Sequence, residues 1–256
     1  MRRFKGWVFI GVLGFLAACA TAPITGRRQL SLVSGDQEMQ LGLTAFEQMK
    51  KETPVSRDPA ANAMLQRVGK KIAAVAEKDL PNAQWEFVVF ESKEANAFCL
   101  PGGKIGVYTG ILPITKDDAG LATVLGHEVA HAAAHHGAER MSQEMAAQGV
   151  GQLGGVAISD PRWQALFQTA YPIGAQVGVL LPFSRKQESE ADRIGLHYMA
   201  RAGYNPEAAV AFWERFSSSM GKSSTPSLLR THPVDSVRIA DLKKYMFEAK
   251  QEYHPQ

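Results

Sequence analysis

Residues 125–140 read LGHEVAHAAAHHGAER, and the reading of this stretch decides how the rest of the chain is organised. It holds four of the seven histidines and two glutamates. Its flanks, GLATVLG and VAHAAA, are apolar, which makes it a buried helix, and Asp117-Asp118 place carboxylates where a helix N-terminus favours them. Inside it His127-Glu128-Val129-Ala130-His131 forms the HExxH pattern. At about 100° per residue, positions i and i+4 lie about 40° and one turn apart, so both imidazoles face one side and can share a zinc ion. Glu128 stands about 100° round from His127. It can reach water at the metal without being a ligand, which suits a general base for attack on a carbonyl.

The same arithmetic sorts the other two histidines. His135 is on the near side of the helix but about 12 Å along its axis from His127, too far to share the ion, and reads as a solvated residue. His136 is about 180° round from His127 and reads as a buttress or a core residue. Two histidines do not close a zinc site, so a third ligand is needed. A metzincin-like arrangement would have a glycine and a third histidine shortly after the motif. Gly137 is present, but the histidine is absent. The better candidate is QESEADRIG (187–195), where Glu188 and Asp192 share a helix face and Glu190 points about 200° away from Glu188. One carboxylate can ligate the metal while the other orients a ligand histidine; the plainer alternative is a charged surface helix.

HEVAH, followed 57 residues after His131 by E-S-E-A-D, resembles the gluzincin metallopeptidases of the M48 family. The family includes bacterial lipoprotein and periplasmic members, the mitochondrial inner-membrane member and the CAAX prenyl proteases. Three further segments carry the likeness: ATAPITGRRQLSLVS after Cys19, NAFCLPGGKIGVYTG before the active helix, and HPVDSVRI late in the chain. The resemblance covers essentially the whole mature chain. It implies one zinc ion per chain held by His127, His131 and Glu188, with Asp192 hydrogen-bonded to a ligand histidine. It implies that His232 lies near the metal, either donating to the oxyanion or filling a fourth zinc position in a resting state. It also makes GGKIGVYTG the edge strand beside the cleft, with Gly103, Lys104, Ile105, Gly106 and Val107 holding an extended peptide by strand addition. Gly102 and Gly103 would permit close backbone approach. Arg238 is expected to pair with an acidic residue near the site, and Cys99 to be a small buried filler.

The N-terminus reads as a targeting segment. MRRFK is a basic start, and GWVFIGVLGFLAA is an apolar run too short to span a bilayer. LAAC resembles the lipobox of bacterial lipoprotein precursors, which makes 1–18 a signal peptide and Cys19 the lipidated first residue; an uncleaved membrane anchor is the alternative. Removing 1–18 takes away Arg2, Arg3 and Lys5 and no acidic residue, so the formal charge of +3 falls to zero. No basic run remains to follow a phosphate backbone, which excludes nucleic acid as a partner. With Cys19 acylated, Cys99 is left alone and no internal disulfide forms. Ala20, not being Asp, is compatible with sorting to the outer membrane.

Residues 19–35 read as a lipid-anchored tether and 36–256 as one domain, without a repeat or a second domain. Helical spacing marks 36–52, 58–78, 184–203 (Ser184 as cap, Gly203 as stop), 205–220 and 234–250. QWEFVVFES (84–92) is a strand, and 96–112 reads as two short strands around Pro101-Gly102-Gly103. Residues 146–182 are Gly-rich and apolar, and ISDPRW interrupts them, so they are no membrane span. The expected fold is α+β and mostly helical, a gluzincin-type metallopeptidase with a small sheet whose edge strand flanks the HExxH helix. The expected function is a zinc endopeptidase cutting extended or misfolded envelope proteins at the periplasmic face of the outer membrane. A zinc-containing chaperone-like module is the alternative, and a small-molecule zinc hydrolase a third. An intact Glu128 favours the enzyme, because a module that only binds needs no general base.

Overall fold

The computed structural model describes residues 19–147, 157–171, 183–218 and 227–255. Residues 1–18, most of 146–182 and most of the polar stretch after 220 lie outside the described residues. Among the described residues no helix is long and apolar enough to cross a membrane.

A two-stranded antiparallel hairpin comes first, β1 (Cys19–Thr21) and β2 (Arg28–Leu30). Helix α1 (Gly35–Glu52) starts at a capping box in which Ser34 and Gln37 satisfy each other's backbone N–H groups. Helix α2 (Pro59–Ala76) starts at an Asp58 cap, with proline where a missing N–H costs nothing. Then β3 (Glu86–Phe90), β4 (Ala97–Leu100) and β5 (Lys104–Tyr108) form a sheet in the order β3-β5-β4, with β5 parallel to β3 and antiparallel to β4. A short turn α3 (Leu112–Thr115) leads to α4 (Asp118–Ala133), whose Asp117 cap accepts from Gly120 N. Helices α5 (His136–Ala147), α6 (Pro161–Ala170), α7 (Arg185–Arg201), α8 (Glu207–Ser218), α9 (Ser227–Thr231) and α10 (Ser236–Lys250) complete the described chain. The fold is mostly helical with a small sheet, as the sequence pattern predicts.

Every residue of α4 from Gly120 to Ala133 is buried. A helix apolar all round belongs at the centre of a core, and α4 packs on α2, α7, α8 and β4. Its closest neighbour is α7. The two cross at Gly126 and Gly195, where a Cβ on Gly195 would stand 3.0 Å from both Gly126 C and His127 N. Only glycine at both positions lets the backbones approach so closely, and this crossing sets the HExxH residues against the acidic residues of α7. Helix α7 begins at the predicted Ser184 cap, a capping box with Gln187, and stops before Gly203 at φ +80°.

Two expectations are corrected. Residues 19–35 are no loose tether: Ala22 and Val33 are in the core, Gln29 is buried, and its amide donates to Ala134 O at 2.6 Å at the end of α4. The segment carries enough polar and apolar partners to dock, although its Pro, Gly and Thr content reads as linker. The strand KIGVY is not at the sheet edge. β5 is central, with both edges occupied by β3 and β4, so Gly103, Lys104, Ile105, Gly106 and Val107 offer no free backbone to a peptide. Their identities have local causes. Gly102 and Gly103, at φ +83° and +76°, make the β4–β5 turn. A Cβ on Gly106 would sit 2.1 Å from the Phe98 ring, and Ile105 and Val107 are core residues. Lys104 donates to Gln84 O at 2.6 Å. The edge strand that flanks α4 is β4, which carries the buried Cys99.

Candidate active site

The crossing of α4 and α7 brings the sequence-predicted ligands together. His127 Nε2 and His131 Nε2 are 3.1 Å apart, and the Glu188 carboxylate stands 3.4 Å from the first and 3.3 Å from the second. His232, just after α9, brings Nδ1 to 3.1 Å from His127 Nε2 and 2.8 Å from Glu188 Oε1. The four candidate ligand atoms all lie within 4.8 Å of one another, and all four residues are buried. Bonds of about 2.0–2.1 Å to a tetrahedral zinc ion put ligand atoms about 3.3 Å apart, so the observed spacings fit that geometry. Three imidazoles and a carboxylate are a donor set that suits zinc.

Glu128 completes the picture. It is buried, its Oε1 has no hydrogen-bond partner, and that oxygen is 3.6 Å from His232 Nε2. A buried carboxylate oxygen without a donor is costly unless a ligand or a proton meets it, and this one borders the four-ligand cluster.

Residues 59–246 match the model of peptidase family M48. This chain belongs to peptidase family M48. The mitochondrial metalloendopeptidase OMA1 of Schizosaccharomyces pombe is 33% identical over 97% of this chain and 74% of its own length. The Saccharomyces cerevisiae protein of the same name is 31% identical over 98% and 76%. The beta-barrel assembly-enhancing protease of Escherichia coli K12 is 28% identical over 90% of this chain, which spans 48% of that protein. The chain is a metalloendopeptidase of this family, and polypeptides are its substrates.

The M48 site is braced by charges that sequence spacing shows only in part. Asp192 accepts from His127 Nδ1 at 2.9 Å, the contact the face argument predicts. Asp192 also takes a two-pronged contact from Arg238, at 2.6 Å through Nε and 2.8 Å through Nη2, while Arg238 Nη1 lies 2.7 Å from Glu188 Oε2. The guanidinium stacks on Trp213, 3.9 Å from its ring centre, and donates to the carbonyls of His232 and Pro233. Arg238 therefore ties both acidic residues and the His232 segment to one fixed point.

Burial works against the charged form of each acid, and the outcome differs. Burial is outweighed at Glu188 by His232, Arg238 and His127 and at Asp192 by Arg238 and His127, and both carboxyls are held below the usual range. For Glu128 burial prevails over His232 and His127 and raises the carboxyl. Burial also pushes His131 well below the ordinary histidine value, whereas at His127 Glu188 and Asp192 outweigh burial and raise the imidazole to about 9.

His136 and Glu190 are better connected than their helical positions imply. Helix α4 ends at Ala133, His135 takes a left-handed φ of +51°, and the chain restarts as α5 in a new direction. The turn delivers His136 Nδ1 to 2.9 Å from His131 Nδ1, and His136 Nε2 to 3.0 Å from Glu190 Oε2. His135 is not simply solvated, because its Nδ1 pairs with the buried Glu38 at 2.7 Å. Gly137, where a metzincin-like reading looked for its glycine, is small because a Cβ there would strike the Tyr171 ring.

Proposed function

We propose that this chain is a zinc-dependent endopeptidase that cuts extended or misfolded polypeptides at a bacterial envelope, held by a lipid on Cys19 to the periplasmic face of the outer membrane. One observation carries the chemistry: the buried Glu128 Oε1, which accepts no hydrogen bond, beside four converging ligand atoms. His127, His131 and Glu188 would hold the ion, and His232 the fourth position in a resting state. A zinc ion supplies Lewis acidity there, bringing a bound water toward neutral pKa and polarising a carbonyl.

The chain's own groups do the rest. Glu128, raised by burial, takes the proton of the attacking water and returns it to the leaving amine nitrogen. Asp192 and Arg238 keep His127 and Glu188 in place. His232 would either hold the fourth position in a resting state or donate to the developing oxyanion. An extended substrate would lie along β4, whose outer edge has no ladder partner among the described residues and which packs on α4. Envelope quality control is supported by the name of the Escherichia coli relative, and unfolded outer-membrane proteins are the proposed clients.

Glu128→Gln tests the reading. The variant should keep zinc and bind unfolded polypeptide, while cleavage of a casein-like substrate falls by at least about a hundredfold. Cleavage at the wild-type rate would refute the assigned base. Peptides trapped by the inactive variant would identify the substrate class.

A further inference from the structure

The N-terminal hairpin reaches the metal centre through a chain of four side chains. Arg27, in the turn between β1 and β2, grips two carboxylates. Its Nη1 and Nη2 donate to Glu139 Oε1 and Oε2 at 2.7 and 2.8 Å, and its Nε donates to Glu190 Oε2 at 2.5 Å. Thr25, in the same turn, donates to Glu190 Oε1. Glu190 thus accepts from the hairpin on both oxygens. Its Oε2 also meets His136 Nε2 at 3.0 Å, and His136 Nδ1 meets His131 Nδ1 at 2.9 Å. Arg27 is 12% exposed at its side chain, Glu190 5%, and His136 not at all.

Proton bookkeeping gives this chain a direction. A carboxylate only accepts, so His136 Nε2 carries the proton that meets Glu190. In a neutral imidazole the other nitrogen is then an acceptor, and His136 Nδ1 can face His131 Nδ1 only if the latter donates. With its proton on Nδ1, His131 presents a bare Nε2, the atom that faces His127 and Glu188. His127 also has a fixing group, Asp192 on α7, which accepts from its Nδ1 at 2.9 Å.

We propose that Arg27 is a positioning residue for the metal centre, acting through Glu190 and His136 to fix the Nδ1-protonated form of His131 and its ring orientation. This rests on the reading of His131 as a zinc ligand. It makes the segment next to the proposed lipid-bearing Cys19 part of the metal site's support, so that pulling the hairpin away would loosen one of the two histidines of HExxH. Partners that orient a ligand histidine are commonly worth 10- to 100-fold in metal affinity.

The test uses the mature chain in its metal-free and zinc-loaded forms. Zinc affinity is measured by competition with a chromophoric chelator, and the histidine tautomers by nitrogen-15 NMR of the metal-free protein. Arg27→Met and His136→Phe should weaken zinc by roughly 10- to 100-fold, with His131 losing its single Nδ1-protonated signal. Arg27→Lys keeps a donor toward Glu190. His136→Asn offers a side-chain oxygen near the place of Nδ1. Both should recover most of the loss. Ser142→Ala is the control, since it removes the acceptor for Leu32 N at the other end of the hairpin and touches none of the four side chains. Its zinc affinity should be that of the wild type. Wild-type affinity and tautomer in Arg27→Met or His136→Phe would overturn the proposal, and so would an equal loss in Ser142→Ala, which would reduce the hairpin to general support. A wild-type chain that binds no zinc would instead overturn the ligand assignment beneath it.

Discussion

Replacing Gly195 with alanine tests whether the helix crossing builds the site. The added methyl would stand 3.0 Å from Gly126 C and His127 N and 3.2 Å from Gly126 O, whereas ordinary contact begins near 3.4 Å. All three atoms are backbone of α4, so no side chain can turn aside, and the helices must part by about 0.4 Å. Glu188 and Asp192 ride on α7 while their partners ride on α4. A metal–ligand bond tolerates about 0.2 Å, so the separation exceeds what the site absorbs without strain. Overpacking of this kind costs about 1–3 kcal/mol. At about 2–4 °C per kcal/mol for a domain of this size, the metal-free protein should melt about 2–12 °C lower. Zinc affinity should fall at least about tenfold, the equivalent of 1.4 kcal/mol. Scanning fluorimetry of the metal-free protein and chelator competition read the two effects separately. A variant with an unchanged melting temperature and wild-type zinc affinity would refute the claim that this close approach positions the ligands.

Two further outcomes follow from the charges. Asp192→Asn replaces a carboxylate oxygen by an amide N–H, so either His127 Nδ1–H or one Arg238 donor faces another donor; zinc affinity should drop about 10- to 100-fold by chelator competition, with the fold kept by circular dichroism. The Arg27–Glu190 contact should be visible in acid stability. Burial works to raise the Glu190 carboxyl, but hydrogen bonds from His136, Thr25 and Arg27 outweigh it and hold it at about 2. A depressed carboxylate stabilises the fold above its unfolded value and loses that contribution as pH falls toward its folded value. Up to about 3 kcal/mol should therefore fade below about pH 4.5. Arg27→Met should flatten this part of the urea-derived stability profile, and identical profiles for the two proteins would count against the contact.

The sequence makes the chemistry legible and much of its support illegible, for physical reasons. The residues of HExxH and ExxxD do come together, because spacing on one helix is local geometry, and caps such as Ser34, Asp58, Asp117 and Ser184 act over three residues. Strand order is not local. Nothing in KIGVY says that β3 and β4 occupy its two sides, although five successive buried residues are what a central strand requires. His136 is the buried buttress the sequence suggests, but helical arithmetic misses its contact with His131 because the helix ends: a left-handed histidine at 135 turns the chain, and the angle counted from His127 ceases to apply. A His-His pair at the end of an alanine run was the available hint. The docked hairpin is hidden for a different reason. Its hold depends on Arg27 meeting Glu139 and Glu190, residues more than 100 positions away, and no spacing rule spans that distance.

The account stands or falls on the metal, and elemental analysis of the purified, metal-replete protein tests it most directly. One zinc per chain is expected in the wild type and in Glu128→Gln, with less than a tenth of that in Glu188→Ala after dialysis against a weak chelator. A wild-type chain without stoichiometric zinc, or a Glu188→Ala chain that retains it in full, would contradict the assignment of the site.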